Sequence, residues 1–523
     1  MQKWRIKNPD FDQQHLVKSI YESRGVENYK ALFSMNEQDL FDPYLLHDMD
    51  KSVKRIIKAI EEEEHILIYG DYDVDGITST FVLYETILKL GGHVSYDIPN
   101  RFIDGYGLSK SKVYDIINDE IDLLITVDNG IKSIEEVALL KKHKIDTIVT
   151  DHHQAEEILP DAFAIIHTEL NDYPFKPLAG VGVSFKLAQA LIGEDAFTYI
   201  DAVMLGTVAD MMPLSSENRA IVNLGLKKVR QSAHIGLSKL IQFLNLDQVS
   251  VADVQFKIAP RINACGRMKS AKIALELLLA SDAKEANRRV EEIEEINNRR
   301  KKLTKVLYNE ALDLYDESQN AIIIHSPRMH EGVLGIVASR LANDYGKVAV
   351  VLKEEDYTYK GSIRSYHGVD VIKILEKLSD LLERFGGHKN ACGLEFKKEH
   401  LSTFKRLFEE LIPEAEVEEV YEAEGKVDIE TLDLKQIADL ERYDLKDALF
   451  VFEKNKILAK YLIKGEHTKL ILSGNTDALF FNNKLLYQQV KKNGFIHLLG
   501  RLDVNTFQNR TKKVILIEDY QIL

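Results

Sequence analysis

The 523-residue sequence predicts an α/β protein: two α/β units joined by a long helix, with a small β-barrel at the C-terminal end. Three observations lead there. From residue 65 onward, short apolar runs alternate with helical segments, the pattern of a parallel sheet covered on both faces. Residues 271–318 contain no Gly or Pro and carry a densely charged middle, as in one long or once-broken helix bridging two domains. The terminal region alternates strand-like runs with turns, as a small barrel does.

Composition sets the class. With 45% hydrophobic and 29% charged residues, the chain reads as an ordinary globular protein. The start, "MQKWRIKNPDFDQQ", has no apolar h-region, and no run reaches about 18 apolar residues, so neither a signal peptide nor a membrane span is expected. Cys265 and Cys392 are too few for a disulfide framework or a CxxC zinc site, which fits a reducing, cytoplasmic setting. The net charge of −15 argues against a broad nucleic-acid-coating surface. The last 73 residues lean the other way, with twelve Lys/Arg against six Asp/Glu, a balance that suits either a polyanion or a solvated face.

Five segments follow in order. Residues 1–55 read as a polar, helical N-terminal segment. Residues 56–235 hold the first α/β unit, with strands "HILIYG", "HVSYDI", "DLLITVD", "DTIVTD" and "AFAIIH" between helices such as "TSTFVLYETILKL". Residues 236–318 form the helical connection. Residues 319–415 hold the second α/β unit, from "NAIIIHS" through "KGSIRS" to "GGHKNACGLEF". Residues 416–523 form the β module, with "KILAKYLIK", "TKLILSG" and "KKVILIEDYQIL" among its strands.

Ligands of an open parallel sheet bind beyond the carboxyl ends of its strands. Here "HILIY" runs into Asp71, Asp73 and Asp75; "HVSYDI" into Pro99, Asn100 and Arg101; "DLLITV" into Asp128, Asn129 and Gly130; and "TIVT" into Asp151, His152 and His153. Solvated loops scatter such residues and do not collect them on one side. Carboxylates clustered without a cation raise one another's pKa and partly neutralise. A divalent metal removes that conflict, and oxygen-rich ligands with one or two imidazoles suit Mn²⁺ or Mg²⁺. Gly76 lets the chain turn tightly into the next helix, whose N-terminus favours anions. Asp210, closing "DAVMLGTVAD", reads equally well as a helix terminator or as a further acid of the site.

In this order, "GDYDVDGITS", "TVDNG", "TDHH" and "LGTVAD" resemble the four motifs of the DHH phosphoesterases. "PNRFIDGYGLS", "LAGVGVSFKLAQAL", "APRINACGRM", "GVLGIVASRL", "KGSIRS" and "FGGHKNACG" resemble that family's branch of bacterial single-strand-specific exonucleases. The resemblance covers about residues 50–523. It implies a DHH domain, a DHHA1 domain and an OB-like, oligonucleotide-binding barrel. It implies that Asp73, Asp75, Asp128, His152 and Asp210 ligate two divalent ions, Asp128 as the bridge, with Asp71 as a supporting acid and His153 on the scissile phosphate. Arg101 and Tyr106 match positions that hold the 5′ end and its first nucleotide. Ser362, Arg364 and His388 match phosphate and nucleotide contacts, and Asn263 and Arg267 line the approach. The implied activity is 5′-to-3′ hydrolysis of single-stranded DNA to 5′-mononucleotides in recombination and repair. The implied partners are single-stranded DNA and, among proteins, a single-stranded-DNA-binding protein or a helicase, with the chain itself a monomer. Two stretches depart from the family pattern. Residues 440–456 lack a Pro-Phe-Gly stretch, and "IIHTELNDYPF" stands where an Asn-Pro pair is usual; neither touches a metal position.

Other motifs carry less. "AGVGVSFKL" lacks the third glycine of a dinucleotide fingerprint and reads as close helix packing. No GxxxxGK[ST] occurs, so no ATP-driven motor is suggested. "INNRRKK" reads as a solvated helix face. Two rival functions remain. A phosphodiesterase of short oligonucleotides or cyclic dinucleotides would be a shorter chain without the barrel. A non-catalytic replication scaffold would lack the metal acids, and here every one is filled.

Overall fold

The computed structural model describes residues 3–105, 107–316, 318–366, 368–412, 420–481, 483–507 and 510–523. Two compact units result, one of residues 35–414 and one that combines 1–34 with 415–523.

In the larger unit, β1 (Ile66–Tyr69), β2 (Val94–Asp97), β3 (Leu123–Val127), β4 (Asp146–Thr150) and β5 (Ala164–Ile166) form a parallel sheet in the order β2-β1-β3-β4-β5. β1 and β3 are buried along their whole length. Ile66, Ile68, Leu123 and Ile125 feed one apolar cluster, and Leu67, Tyr69 and Leu124 feed another, so both faces are covered. The chain leaves β1 to one side for β2 and returns on the other side for β3. Strand order therefore reverses at the β1/β3 boundary, which opens a crevice at their carboxyl ends. α1 (Val74–Lys89), α2 (Gly180–Ile192) and α3 (Ile200–Ala209) pack beside it. α3 is apolar nearly all round and buried from Ile200 to Val208, the signature of an interior helix.

α4 (Ala259–Met268) follows, and then the bridging helix, which is broken once into α5 (Lys272–Leu278) and α6 (Ala283–Asp313). The break is a cap. The Asp282 side chain accepts hydrogen bonds from the backbone N–H groups of Lys284 and Glu285, both at 2.8 Å. The second sheet has β6 (Ile322–Ser326), β7 (Ala349–Glu354), β8 (Thr358–Arg364), β9 (Arg384–His388) and β10 (Ala391–Lys397) in the order β9-β10-β8-β7-β6. Its β6–β7 pair is parallel and the others are antiparallel. "FGGH" is thus part of an exposed edge strand rather than a turn.

In the smaller unit, strand Leu449–Ile463 pairs with His467–Leu472 on one side and with Phe495–Phe507 on the other. Thr476–Phe480 and Arg510–Ile522 complete the circuit, so five strands close into a barrel. The expected N-terminal segment, 1–55, is not one body. Residues 1–34 belong with the barrel, and helix Met49–Glu61 belongs with the larger unit. Strand Lys3–Ile6 pairs in parallel with Val420–Ala423, and Leu16, Val17, Ile20 and Tyr21 enter the barrel core. Polar local composition conceals a strand whose partner lies 417 residues away. Among the described residues, no helix is long and apolar enough to cross a membrane.

Candidate metal centre

The three acids after β1 take different places. Asp73 caps α1, its Oδ1 accepting from the N–H groups of Asp75 (3.0 Å) and Gly76 (3.2 Å). Asp75 lies in the first turn of α1, and both of its oxygens are held at the N-terminus of α2, by Gly180 N–H at 2.7 Å and Val181 N–H at 2.8 Å. Asp71 is buried beneath them. Gly76 is obligatory, because a Cβ there would stand 2.5–2.6 Å from the Asp71 backbone. Asp128 follows β3 in a left-handed conformation (φ 59°), which Asp tolerates better than most residues.

From β4 come Asp151, His152 and His153. His152 Nε2 lies 3.2 Å from Asp128 Oδ1 and 3.7 Å from both Asp75 Oδ2 and Asp210 Oδ2. Asp210, at the C-terminus of α3, therefore belongs to the site as well as ending its helix. The His153 ring lies 4.5 Å from that of His152, centroid to centroid, tilted by 59° and with Nδ1 4.0 Å from Asp128 Oδ1. That Nδ1 donates to Asp151 Oδ1 at 2.7 Å, and the His153 carbonyl contacts His167 Nε2 at 2.8 Å. Asp151 is fixed in turn by the N–H groups of Ile131, His152 and His153. Three overlapping groups result, Asp71/Asp73/Asp128, Asp75/His152/Asp210 and Asp128/His152/His153, each with candidate ligand atoms within 4.8 Å of one another.

Electrostatics separates the two histidines. Burial, with the neighbouring His153, pushes His152 down to about 4, so it is neutral with a lone pair to give. Burial also disfavours charge on His153, but the hydrogen bond and charge of Asp151 outweigh it and lift His153 to about 9. Asp151, although buried, is held down at about 2 by the same contact. Burial pushes Asp71, Asp75 and Asp128 well above the usual carboxylate range, helped respectively by Asp73, Asp210 and Asp75. Burial and Asp73 bring Asp210 to about 7.

The donor set fits a cation. Among the described residues, Asp71 Oδ1, Asp128 Oδ1 and Asp210 Oδ2 are buried without a hydrogen-bond partner, an arrangement that costs free energy unless positive charge balances it. Carboxylate oxygens with a neutral imidazole suit Mn²⁺ or Mg²⁺. Binding must then displace protons. Ligands raised toward 7 are partly protonated below that pH and must ionise to bind. Mn²⁺ affinity is therefore expected to fall as pH drops from 8 to 6, approaching tenfold per pH unit for each proton displaced. Calorimetry in buffers of different ionisation heat checks this; equal affinity at both pH values, without proton release, contradicts it.

The predicted substrate residues divide. Arg101, from the loop after β2, and Ser362 and Arg364, on β8, meet at a cavity of about 540 Å³ that Lys360 and Arg384 also line. Arg364 Nη1 donates to Ser362 Oγ at 2.8 Å. Arg267, on α4, is lowered to about 10 by burial and by Arg101, against the pull of Asp73. Arg101, Arg364, Lys360 and Arg384 outnumber the two acids of the lining, Glu331 and Glu395, a balance that favours an anion. Asn263 is half-buried on α4. His388 is exposed at the end of β9, next to the cavity residue Gly387, and does not itself line the cavity. Tyr106 lies outside the described residues. In "INNRRKK", Arg299, Lys301 and Lys302 are exposed as expected, but Arg300 is half-buried and donates to Asn297 Oδ1.

Residues 65–207 match the DHH family N-terminal domain, 318–414 the DHHA1 domain and 423–519 the RecJ OB domain. The single-stranded-DNA-specific exonuclease RecJ of Bacillus subtilis is 34% identical over 99% of this chain and 70% of its own length. The chain belongs to the RecJ family. The Haemophilus influenzae RecJ is 31% identical, with 96% of this chain and 95% of that protein covered. Among solved structures, RecJ of Thermus thermophilus in complex with Mn²⁺ superposes with a TM-score of 0.82 at 27% identity, covering 99% of this chain and 79% of that one. A RecJ exonuclease bound to manganese gives 0.64 at 34% identity, covering 70% and 94%.

Sequence reasoning named Asp151 at a strand end of this RecJ-family site without giving it a role, and it did not place Gly180 or Val181 there. Asp151 is the acid that charges His153; its position directly before two histidines was the available signal. Gly180 and Val181 supply the N–H groups that hold Asp75. A Cβ on Gly180 would stand 2.5 Å from Asp128 Oδ1. The reading of "AGVGV" as close packing is thus right in kind, but the surface it approaches is the metal cradle.

Proposed function

We propose that this chain is a Mn²⁺- or Mg²⁺-dependent exonuclease that degrades single-stranded DNA from the 5′ end and releases 5′-mononucleotides, in recombination and repair. One observation carries the reading: the cradle gathers buried carboxylate oxygens and a neutral imidazole suited to a divalent cation, in a chain 31% to 34% identical over nearly its whole length to RecJ exonucleases. When bound, two such ions supply Lewis-acid charge stabilisation and acidify a water for in-line displacement. Asp73, Asp75, Asp128, His152 and Asp210 would hold them. His153 keeps its proton at neutral pH, and its Nδ1 is committed to Asp151, so Nε2–H is the donor that would serve a non-bridging phosphate oxygen. Digestion of end-labelled single and double strands with each metal tests the reading; degradation from the 3′ end overturns it.

Polarity rests on Arg101. It acts on Asp71 of the cradle and also lines the cavity with Arg364, a position suited to a terminal phosphate. Arg101→Ala is expected to reduce the preference for a 5′-phosphate over a 5′-hydroxyl end about tenfold. Affinity for a long strand should fall less, because other phosphate contacts remain. Paired cleavage assays on the two substrates check this, and an unchanged ratio removes Arg101 from the site. The candidate ligands and the described cavity lining come from one chain, which supports action as a monomer, and a DNA substrate fits the cytoplasm. A single-stranded-DNA-binding protein or a helicase would supply the strand.

A further inference from the structure

Tyr72 lies between two acids of the cradle, and neither the family motif nor the metal site gives its side chain a task. The structure supplies one. The Arg101 guanidinium lies over the Tyr72 ring, 5.0 Å from its centroid. Among the described residues, Arg101 is in no ion pair and no side-chain hydrogen bond. Its loop is closed by contacts that leave the side chain alone: Asn100 Oδ1 accepts from Phe102 N–H, Asp104 Oδ2 accepts from Asn100 N–H, and the Phe102 ring packs edge-on against His330. The Tyr72 backbone is clamped in turn. Its carbonyl faces Gly266 of α4 so closely that a Cβ there would stand 2.5 Å away.

This geometry settles a competition. The loops after the paired strands β1 and β2 leave the sheet side by side, so a cation in one is drawn to the acids of the other. A guanidinium seated among those acids would occupy the metal cradle. Seated on the ring, it keeps its planar donor edge for a phosphate and remains at the cavity wall.

We propose that Tyr72 is a positioning residue whose ring holds Arg101 between the metal acids and the cavity, and so sets the 5′-phosphate preference. The inference rests on the reading of Arg101 as the terminal-phosphate anchor.

The test is a double-mutant cycle on the cleavage ratio of 5′-phosphorylated to 5′-hydroxyl oligodeoxythymidylate, with Mn²⁺ calorimetry read in parallel. Tyr72→Leu and Tyr72→Met, which remove the π face, are expected to lower the ratio about three- to tenfold. Tyr72→Phe keeps the ratio, because the ring and not the hydroxyl seats the guanidinium. Mn²⁺ affinity stays at the wild-type value in all three. In an Arg101→Ala background, Tyr72→Leu lowers the ratio no further. Additive losses, an unchanged ratio in Leu and Met, or a ratio lost together with Mn²⁺ affinity each overturn the proposal. A wild type without any 5′-phosphate preference instead overturns the reading of Arg101 itself.

Discussion

Asp128→Asn abolishes hydrolysis, by about 10³-fold or more in kcat, and leaves the fold intact. Asp128 is the acid nearest the imidazole of His152, at 3.2 Å, and it takes part in two of the three ligand groups. Its Oδ1 is buried with no hydrogen bond to lose, so the amide removes charge at the centre of the cluster without breaking a structural contact. Asn is preferred to Ala because Asp128 sits at φ 59°, where Asn is tolerated and Ala is strained. In the metal-free protein, burial and Asp75 already disfavour the charge on Asp128, so its loss should not lower the melting temperature. Thermal unfolding then separates the two effects. Saturating Mn²⁺ raises the wild-type Tm and shifts the variant much less. Near-normal turnover of the variant in Mn²⁺ would sink the assignment of Asp128 as the shared ligand.

The second large effect divides adjacent residues. His153→Ala is expected to lower kcat about 10²- to 10³-fold with Mn²⁺ affinity nearly unchanged, whereas His152→Ala lowers both. The cause is the different hydrogen-bonding partner of each ring. His152 points its Nε2 at Asp75, Asp128 and Asp210 and is neutral; His153 is tied to Asp151 and stays protonated up to about pH 9. Asp151→Asn removes the partner that raises His153. It should therefore move the proton loss of His153 in the metal-free protein from about pH 9 toward its ordinary range, as read by NMR. Equal loss of Mn²⁺ affinity in the two histidine variants contradicts the division of roles.

Much of the site was legible in the chain because strand ends are local. Four apolar runs, each closed by acid, histidine or arginine, are a one-dimensional pattern, and a parallel sheet converts it into a single edge. The metal acids, the DHH stretch and Arg101 follow from that pattern and from the motif order. What stayed hidden needed partners distant in sequence. Gly180 reaches Asp75 across 105 residues, and the strand Lys3–Ile6 finds Val420–Ala423 across 417. Residue pattern alone left Asp210 as a helix terminator or an acid, and only the motif resemblance made it a ligand until α3 brought it within 3.7 Å of His152. The residue types and their strand positions, with the metal class they imply, were thus determined by the sequence alone, since alternation and burial period act over a few residues. Which partners hold each histidine, and which ring seats Arg101, were decided by tertiary structure. Those properties depend on burial and on distances of about 3–5 Å between segments that no local pattern brings together.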